Sequence, residues 1–263
     1  MKTAGTVQEL WRYPVKSMAG EQIAEAFVGF AGVYGDRCVA FADPTARPGC
    51  PYLTASRKQE MLLFRPVFRH PERAARPPHL GDSTAMSPGL TPRNGDPGDL
   101  DLDIRTPSGD LLSVDDPGLV RLLGRDADGA DSIRAVRSDR ALTDCRPVSL
   151  ISTQTIRAVE SESGITLDRR RFRANIYVEL AAKGGFAEDE MIGHRVRIGR
   201  DVVLFVLERD PRCKILSLDP ATSEHNPDVL RTVARNHSAC AGVYCAVLVE
   251  GIITKSDTLT LLD

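Results

Sequence analysis

Between Glu208 and Pro220 the chain reads Glu208-Arg209-Asp210-Pro211-Arg212-Cys213-Lys214-Ile215-Leu216-Ser217-Leu218-Asp219-Pro220. One thiol, Cys213, stands beside Arg212 just past the apolar run Val202 to Leu207. A neighbouring guanidinium favours the thiolate, the form that attacks electrophiles and binds metals. Read alone, the same cysteine also fits a small buried hydrophobe. Asp210 and Asp219 flank it, either as acids or as turn residues.

Three further groups carry candidate chemistry. Tyr13-Pro14-Val15-Lys16-Ser17 joins an ammonium and a hydroxyl on backbone turned by proline, a pairing able to hold phosphate by charge and hydrogen bonding. Gly35-Asp36-Arg37 adds an arginine at the entry to a strand. Arg169 to Asn175 is the densest basic run; read as a strand, it sends Arg171, Arg173 and Asn175 to one face and Phe172 and Ala174 to the other. A solvated sheet edge explains the same run without a ligand. The histidines at 70, 79, 194, 225 and 237 show no metal-ligand spacing, and no Gly-x-Ser-x-Gly elbow, Walker loop or Gly-x-Gly-x-x-Gly turn is present.

The elements that must position these residues are mostly short strands. Residues 24–28, 37–42, 61–64, 100–104, 174–180, 195–198, 202–207 and 243–249 are rich in β-formers and bounded by Gly, Pro or Asp. Helices are expected from a Ser152 cap to about Glu162, stopped by Gly164; from the Asn226-Pro227 start; and from Pro117 to about Leu123. The pattern predicts a mainly β fold with helical decoration, built as two modules joined between Asp116 and Asp139. Residues 70–99 hold six prolines and four glycines with little apolar periodicity, and read as an insert, either slack or a lid.

Composition narrows the function classes. Hydrophobic content of 42% and charged content of 27% suit a soluble globular protein, and a net charge of −2 gives no general attraction to nucleic acid or anionic membrane. The start has no apolar signal core and no stretch reaches a membrane-spanning length, so a cytoplasmic location is expected. There, the cysteines at 38, 50, 145, 213, 240 and 245 default to free thiols.

Taken together these segments resemble the MOSC proteins, in particular the branch with an extra N-terminal β-barrel module that includes the mitochondrial amidoxime-reducing component and its bacterial relatives. The resemblance runs through Tyr13 to Ser17, Gly35-Asp36-Arg37, Leu53-Thr54-Ala55-Ser56-Arg57, Pro147 to Ser152, Arg171 to Ile176, Arg212-Cys213 with Asp219-Pro220, and Gly242-Val243-Tyr244. It implies an N-terminal β-barrel-like module over 1–125, containing the 70–99 insert, and a C-terminal MOSC β-barrel over 126–263. It also implies a molybdenum–molybdopterin cofactor with Cys213 as metal ligand, and contacts to it from Lys16, Ser17, Arg37, Arg173 and Asn175. Ser152, Thr153, Thr155, Arg212 and Tyr244 are further implied contacts, and Asp210 is a candidate acid near the metal.

The activity implied is reduction of N-hydroxylated small molecules, with electrons from a separate protein such as a ferredoxin, a flavodoxin-like reductase or a cytochrome b5-like carrier. The chain departs from its relatives at Asp210-Pro211, where small polar residues are usual, at Pro220-Ala221-Thr222-Ser223, and at Lys255-Ser256-Asp257. These departures keep open a specialised biosynthetic enzyme with altered or lost cofactor use; because MOSC domains also end molybdenum-cofactor sulfurases, the resemblance equally admits a sulfur carrier working through a Cys213 persulfide.

Overall fold

The structure, a computed structural model, describes residues 2–46, 49–77, 100–124, 133–138, 141–143 and 145–262. It divides into two compact units. Unit 1 comprises residues 1–12, 21–33 and 145–263; unit 2 comprises 13–20 and 34–144.

Unit 1 is built on a closed barrel. Its first strands are β1 (Lys2–Arg12), β2 (Glu21–Ile23), β3 (Glu25–Gly29) and β4 (Gly32–Val33), and strands β5 to β9 belong to unit 2. The chain returns with β10 (Val148–Ser152), β11 (Ile176–Leu180), β12 (Arg195–Ile198), β13 (Val202–Pro211), β14 (Cys240–Val249), β15 (Gly251–Thr254) and β16 (Thr258–Leu261). The order β11-β10-β14-β13-β12-β16-β1 closes by pairing β1 back onto β11, with β2 added at the edge of β1. Closure is tight at Gly5, where a Cβ would stand 2.4 Å from the Glu179 carbonyl oxygen, so any other residue would push β1 off β11.

Alternation fills the barrel. Along β13, Val202, Leu204 and Val206 point inward, packing with Val7, Leu10, Leu150, Val178, Val196 and Val243 among the residues of one buried cluster. Outside it, α3 (Thr153–Ser163) and α4 (Pro227–His237) cover a second cluster that includes Ile151, Val159, Phe172, Tyr177, Val229 and Val233. Helix α3 begins and ends, and α4 begins, where the sequence predicts. The Ser152 side chain caps α3 by accepting from the Thr155 N–H, and Gly164 ends it at φ 68°. Asn226 caps α4 ahead of Pro227 at the first helical position.

Unit 2 contains β5 (Val39–Ala42) paired with β9 (Arg134–Arg137), and a three-stranded antiparallel sheet of β6 (Arg65–Phe68), β7 (Leu102–Arg105) and β8 (Leu111–Ser113). It also holds α1 (Pro71–Ala75) and α2 (Pro117–Gly124). Of the Pro- and Gly-rich stretch 70–99, residues 78–99 lie outside the described residues. The expected mainly β architecture is present, with four α-helices among the described residues, none long and apolar enough to cross a membrane.

Three local expectations are corrected. Residues 59–63 form a 3-10 helix, and the strand expected at 61–64 begins instead at Arg65. The basic run is not a strand either: Arg169–Phe172 is a 3-10 helix capped by the Asp168 side chain, and Arg173 follows at φ 51°. Arg171, Arg173 and Asn175 therefore do not share a strand face. Finally, the first strand belongs to the barrel of unit 1, although the reading by modules placed 1–125 together. Long-range pairing of β1 with β11 and β16 has no local signature in the sequence.

Candidate functional site

Cys213 stands where β13 gives way to a 3-10 helix over Lys214–Ser217. Its carbonyl accepts the Leu216 N–H at 3.0 Å, fixing the turn, and the residue is exposed. A thiol presented on an ordered turn is available as a nucleophile or as a soft metal donor.

The side chain of Arg212 turns the other way. Its guanidinium donates to the Ala241 carbonyl and, at 2.6 Å, to the Phe172 carbonyl, and pairs with Asp210 at 2.7 Å. The two side chains are only 8% and 3% exposed. Tyr244 joins them: its pKa is raised by burial and by the charge of Asp210, to which its hydroxyl is hydrogen-bonded. Gly242 makes room for this network at φ +79°; a Cβ there would meet the Leu150 carbonyl oxygen at 2.8 Å and Arg212 Nη2 at 3.2 Å. Asp210, Arg212 and Tyr244 are thus brought together as an internal brace, with their charged groups directed at one another.

Several other expected contact residues are also committed to protein partners. Asn175 Oδ1 accepts from the Ser149 N–H and hydroxyl, and its Nδ2 donates to the Trp11 carbonyl. Ser152 donates at 2.7 Å to Glu188, a fully buried carboxylate that also accepts the Ser152 N–H. The Thr155 hydroxyl lies 3.0 Å from that of Ser152 and accepts from the Phe186 N–H. Glu188 lies in the acidic turn Glu188-Asp189-Glu190, which carries no signal that its first member is buried beneath the α3 cap. Thr153 donates to Glu179, lowering that carboxylate's pKa, and lines a cleft of about 360 Å³ with Arg157, Glu160 and Lys255 rather than with Cys213.

Next to Cys213 the polar inventory differs. The 3-10 helix carrying Arg171 packs against the one that follows Cys213. Arg171 pairs through Nη2 with Asp219 at 2.8 Å, while its Nε and Nη1 and the Ser217 hydroxyl are buried with no hydrogen-bond partner among the described residues. Sequence reading counted Arg171 only as part of a motif and overlooked Ser217, because what distinguishes them is unfilled bonding capacity, a tertiary property.

In unit 2, Lys16 and Arg37 meet around one backbone segment. Lys16 Nζ donates to the Leu142 carbonyl at 2.9 Å, and the Leu142 N–H donates to the Arg37 carbonyl at 2.8 Å. Arg37, at φ 46°, pairs with Asp36 at 2.6 Å and lies over the Tyr13 ring. Ser17 is buried beside Lys16 at φ 68°.

A further charged cluster joins α3 to α4. His237 stacks on Phe186 with ring centroids 3.6 Å apart, and its Nε2 lies 2.8 Å from Glu162, which also accepts from Asn236 at 2.9 Å. Burial alone would raise the Glu162 pKa, but these bonds hold it below its usual 4.5. A depressed carboxylate contributes stability above its unfolded pKa and loses it as pH falls through the folded one. Urea midpoints should therefore show Glu162→Gln less stable than the parent near neutrality, with the difference shrinking below pH 4.5.

Comparison with known proteins fits this architecture. Residues 137–260 match the MOSC domain family, so the chain carries a MOSC domain. The YuaD protein of Bacillus subtilis is similar in structure at 11% identity and a TM-score of 0.50, over 98% of this chain and 96% of that one. YiiM of Geobacillus stearothermophilus (19% identity, TM-score 0.36) and YiiM of Escherichia coli (15%, 0.32) each align with 45% of this chain and 55% of theirs. At these identities the likeness to YuaD concerns the fold alone. No curated protein matches the chain.

Proposed function

We propose that this MOSC-domain protein holds a molybdenum–pterin cofactor through Cys213 and reduces N-hydroxylated small molecules with electrons from a separate redox protein. The observation that carries the reading is the exposed Cys213 thiol on an ordered turn, inside the domain that matches the family. The chemistry of the donor set suits the group. Thiolate is a soft donor, and the unfilled N–H groups of Arg171 and the Ser217 hydroxyl leave bonding capacity next to it for an anion. Among the described residues no cluster of three or more His, Cys, Asp or Glu side chains is placed to hold a metal ion by itself. A metal at Cys213 would thus bring its other ligands with it, as a dithiolene does.

When bound, molybdenum supplies two-electron oxygen-atom chemistry, and the chain's own groups would position it. Cys213 would fix the metal, with Arg171 and Ser217, on the two packed 3-10 helices, as polar groups for an anion and Arg173 as the further contact that the family resemblance implies. The brace of Asp210, Arg212 and Tyr244 would hold that turn in place from within. Asp210, already engaged by Arg212 and Tyr244, acts here as a positioning residue.

The test is molybdenum content by mass spectrometry and released pterin by fluorescence, on protein purified from a host that makes the cofactor. Near-stoichiometric amounts of both, with turnover of an amidoxime or N-hydroxylamine, are expected. A protein free of both that carries a persulfide on Cys213 would overturn the reading in favour of sulfur transfer, which the same exposed thiol could serve.

A further inference from the structure

Antiparallel pairing sets Pro211 of β13 opposite Cys240 of β14. The ladder runs one step further, the Arg212 N–H donating to the Ala239 carbonyl at 2.7 Å. Because side chains alternate along a strand, residues 211 and 213 fall on the same face of the ribbon as residue 240. Cys213 and Cys240 are therefore diagonal neighbours on one face at the ribbon's end. Diagonal partners have Cα atoms roughly 7–8 Å apart, with their Cβ atoms closer. A disulfide needs Cα atoms within about 7 Å, so the movement required is on the order of 1 Å.

Cys213 lies beyond the last residue of β13, and Cys240 follows a turn in which Ser238 and Ala239 have φ of 55° and 60°. The Cys213 thiol is exposed, and the half-buried Cys240 donates only a long bond of 3.4 Å to the Ser238 carbonyl. The other thiols of unit 1 are placed differently. Cys245 is fully buried within β14, and Cys145 precedes Arg146, which pairs with Glu208 of β13, and lies close enough to Tyr244 to act on its hydroxyl.

We propose that Cys213 and Cys240 form a reversible disulfide when the cofactor-free chain meets peroxide. The Cys213 thiolate attacks a peroxide oxygen, the O–O bond breaks, and hydroxide leaves to give the sulfenic acid. The Cys240 thiolate then attacks that sulfur and displaces a second hydroxide. Two thiols are oxidised to one disulfide, and one peroxide is reduced to two waters. Bond formation does not depend on the cofactor reading. Its consequence, that the oxidised chain cannot accept a metal at Cys213, does rest on that reading.

The experiment treats the full-length, cofactor-free protein with hydrogen peroxide, blocks remaining thiols, and maps the peptides by mass spectrometry with and without dithiothreitol. A peptide linking Cys213 to Cys240, lost on reduction with return of free Cys213, is expected in the parent and in Cys145→Ser. In Cys240→Ser, Cys213 should progress to sulfinic acid and fail to return. Sulfinic acid at Cys213 in the parent without a linked peptide, or a link from Cys213 to Cys145, would overturn the proposal. Molybdenum in untreated protein tests the ligand reading separately, so the two cannot be confused.

Discussion

Cys213→Ala protein should purify folded, with its molybdenum and pterin at background and no reductase turnover. The thiol is exposed and supports no core packing, so its removal should change stability by no more than about 0.5 kcal/mol. What is lost is the only soft donor the turn presents. Cys213→Ser should behave the same way, because a hydroxyl of similar size is a poor substitute for thiolate toward a sulfur-loving metal. The pairing of measurements matters. An unchanged thermal midpoint together with absent molybdenum identifies a ligand, whereas unfolding would identify a structural residue. Full molybdenum content and turnover in Cys213→Ala would remove the metal-ligand assignment.

Arg212→Ala should have the opposite profile, with a large loss of stability that precedes any question of activity. The guanidinium ties the end of β13 to the Ala241 and Phe172 carbonyls and neutralises Asp210 in a site where both side chains are almost wholly buried. Removing one partner of a buried pair leaves an uncompensated charge and costs about 3–5 kcal/mol. Urea denaturation followed by circular dichroism should show this as a drop in midpoint at neutral pH. Adding Asp210→Asn to Arg212→Ala should recover part of the loss, since the orphaned charge goes with it. Equal stability of the single and double variants would mean that Arg212 acts through its carbonyl bonds alone.

The contrast between these two neighbours shows how far sequence carries the argument. Local grammar placed β12 at Arg195–Ile198, the Ser152 and Gly164 signals bounded α3, and Asn226-Pro227 marked the start of α4, because caps and strand periodicity are encoded within a few residues. Adjacency also suggested that Arg212 would act on the Cys213 thiol. The folded chain turns that guanidinium inward, since buried carbonyls and a carboxylate compete for it more strongly than solvent does. Likewise the period-two reading of Arg169 to Asn175 fails because Asp168 caps the Arg170 N–H at 2.8 Å and starts a tight helical turn. Ser152 and Asn175 could be read as polar residues, but whether their bonds go to a ligand or to Glu188 and Ser149 is decided by residues 36 and 26 positions away.

The closure of the barrel also shapes how the chain must acquire its structure. Strand β1 is made well before the partners that close the barrel, at 176–180 and 258–261. At about 5–20 residues per second of synthesis, on the order of ten seconds or more separates β1 from the last of them. Throughout that interval the strand presents unpaired amides and the apolar face of Val7 and Leu10, a template for pairing with another nascent chain. Loop closure over so many residues also makes folding slow once the chain is complete. The protein should therefore gain disproportionately in soluble yield from slower expression at lower temperature.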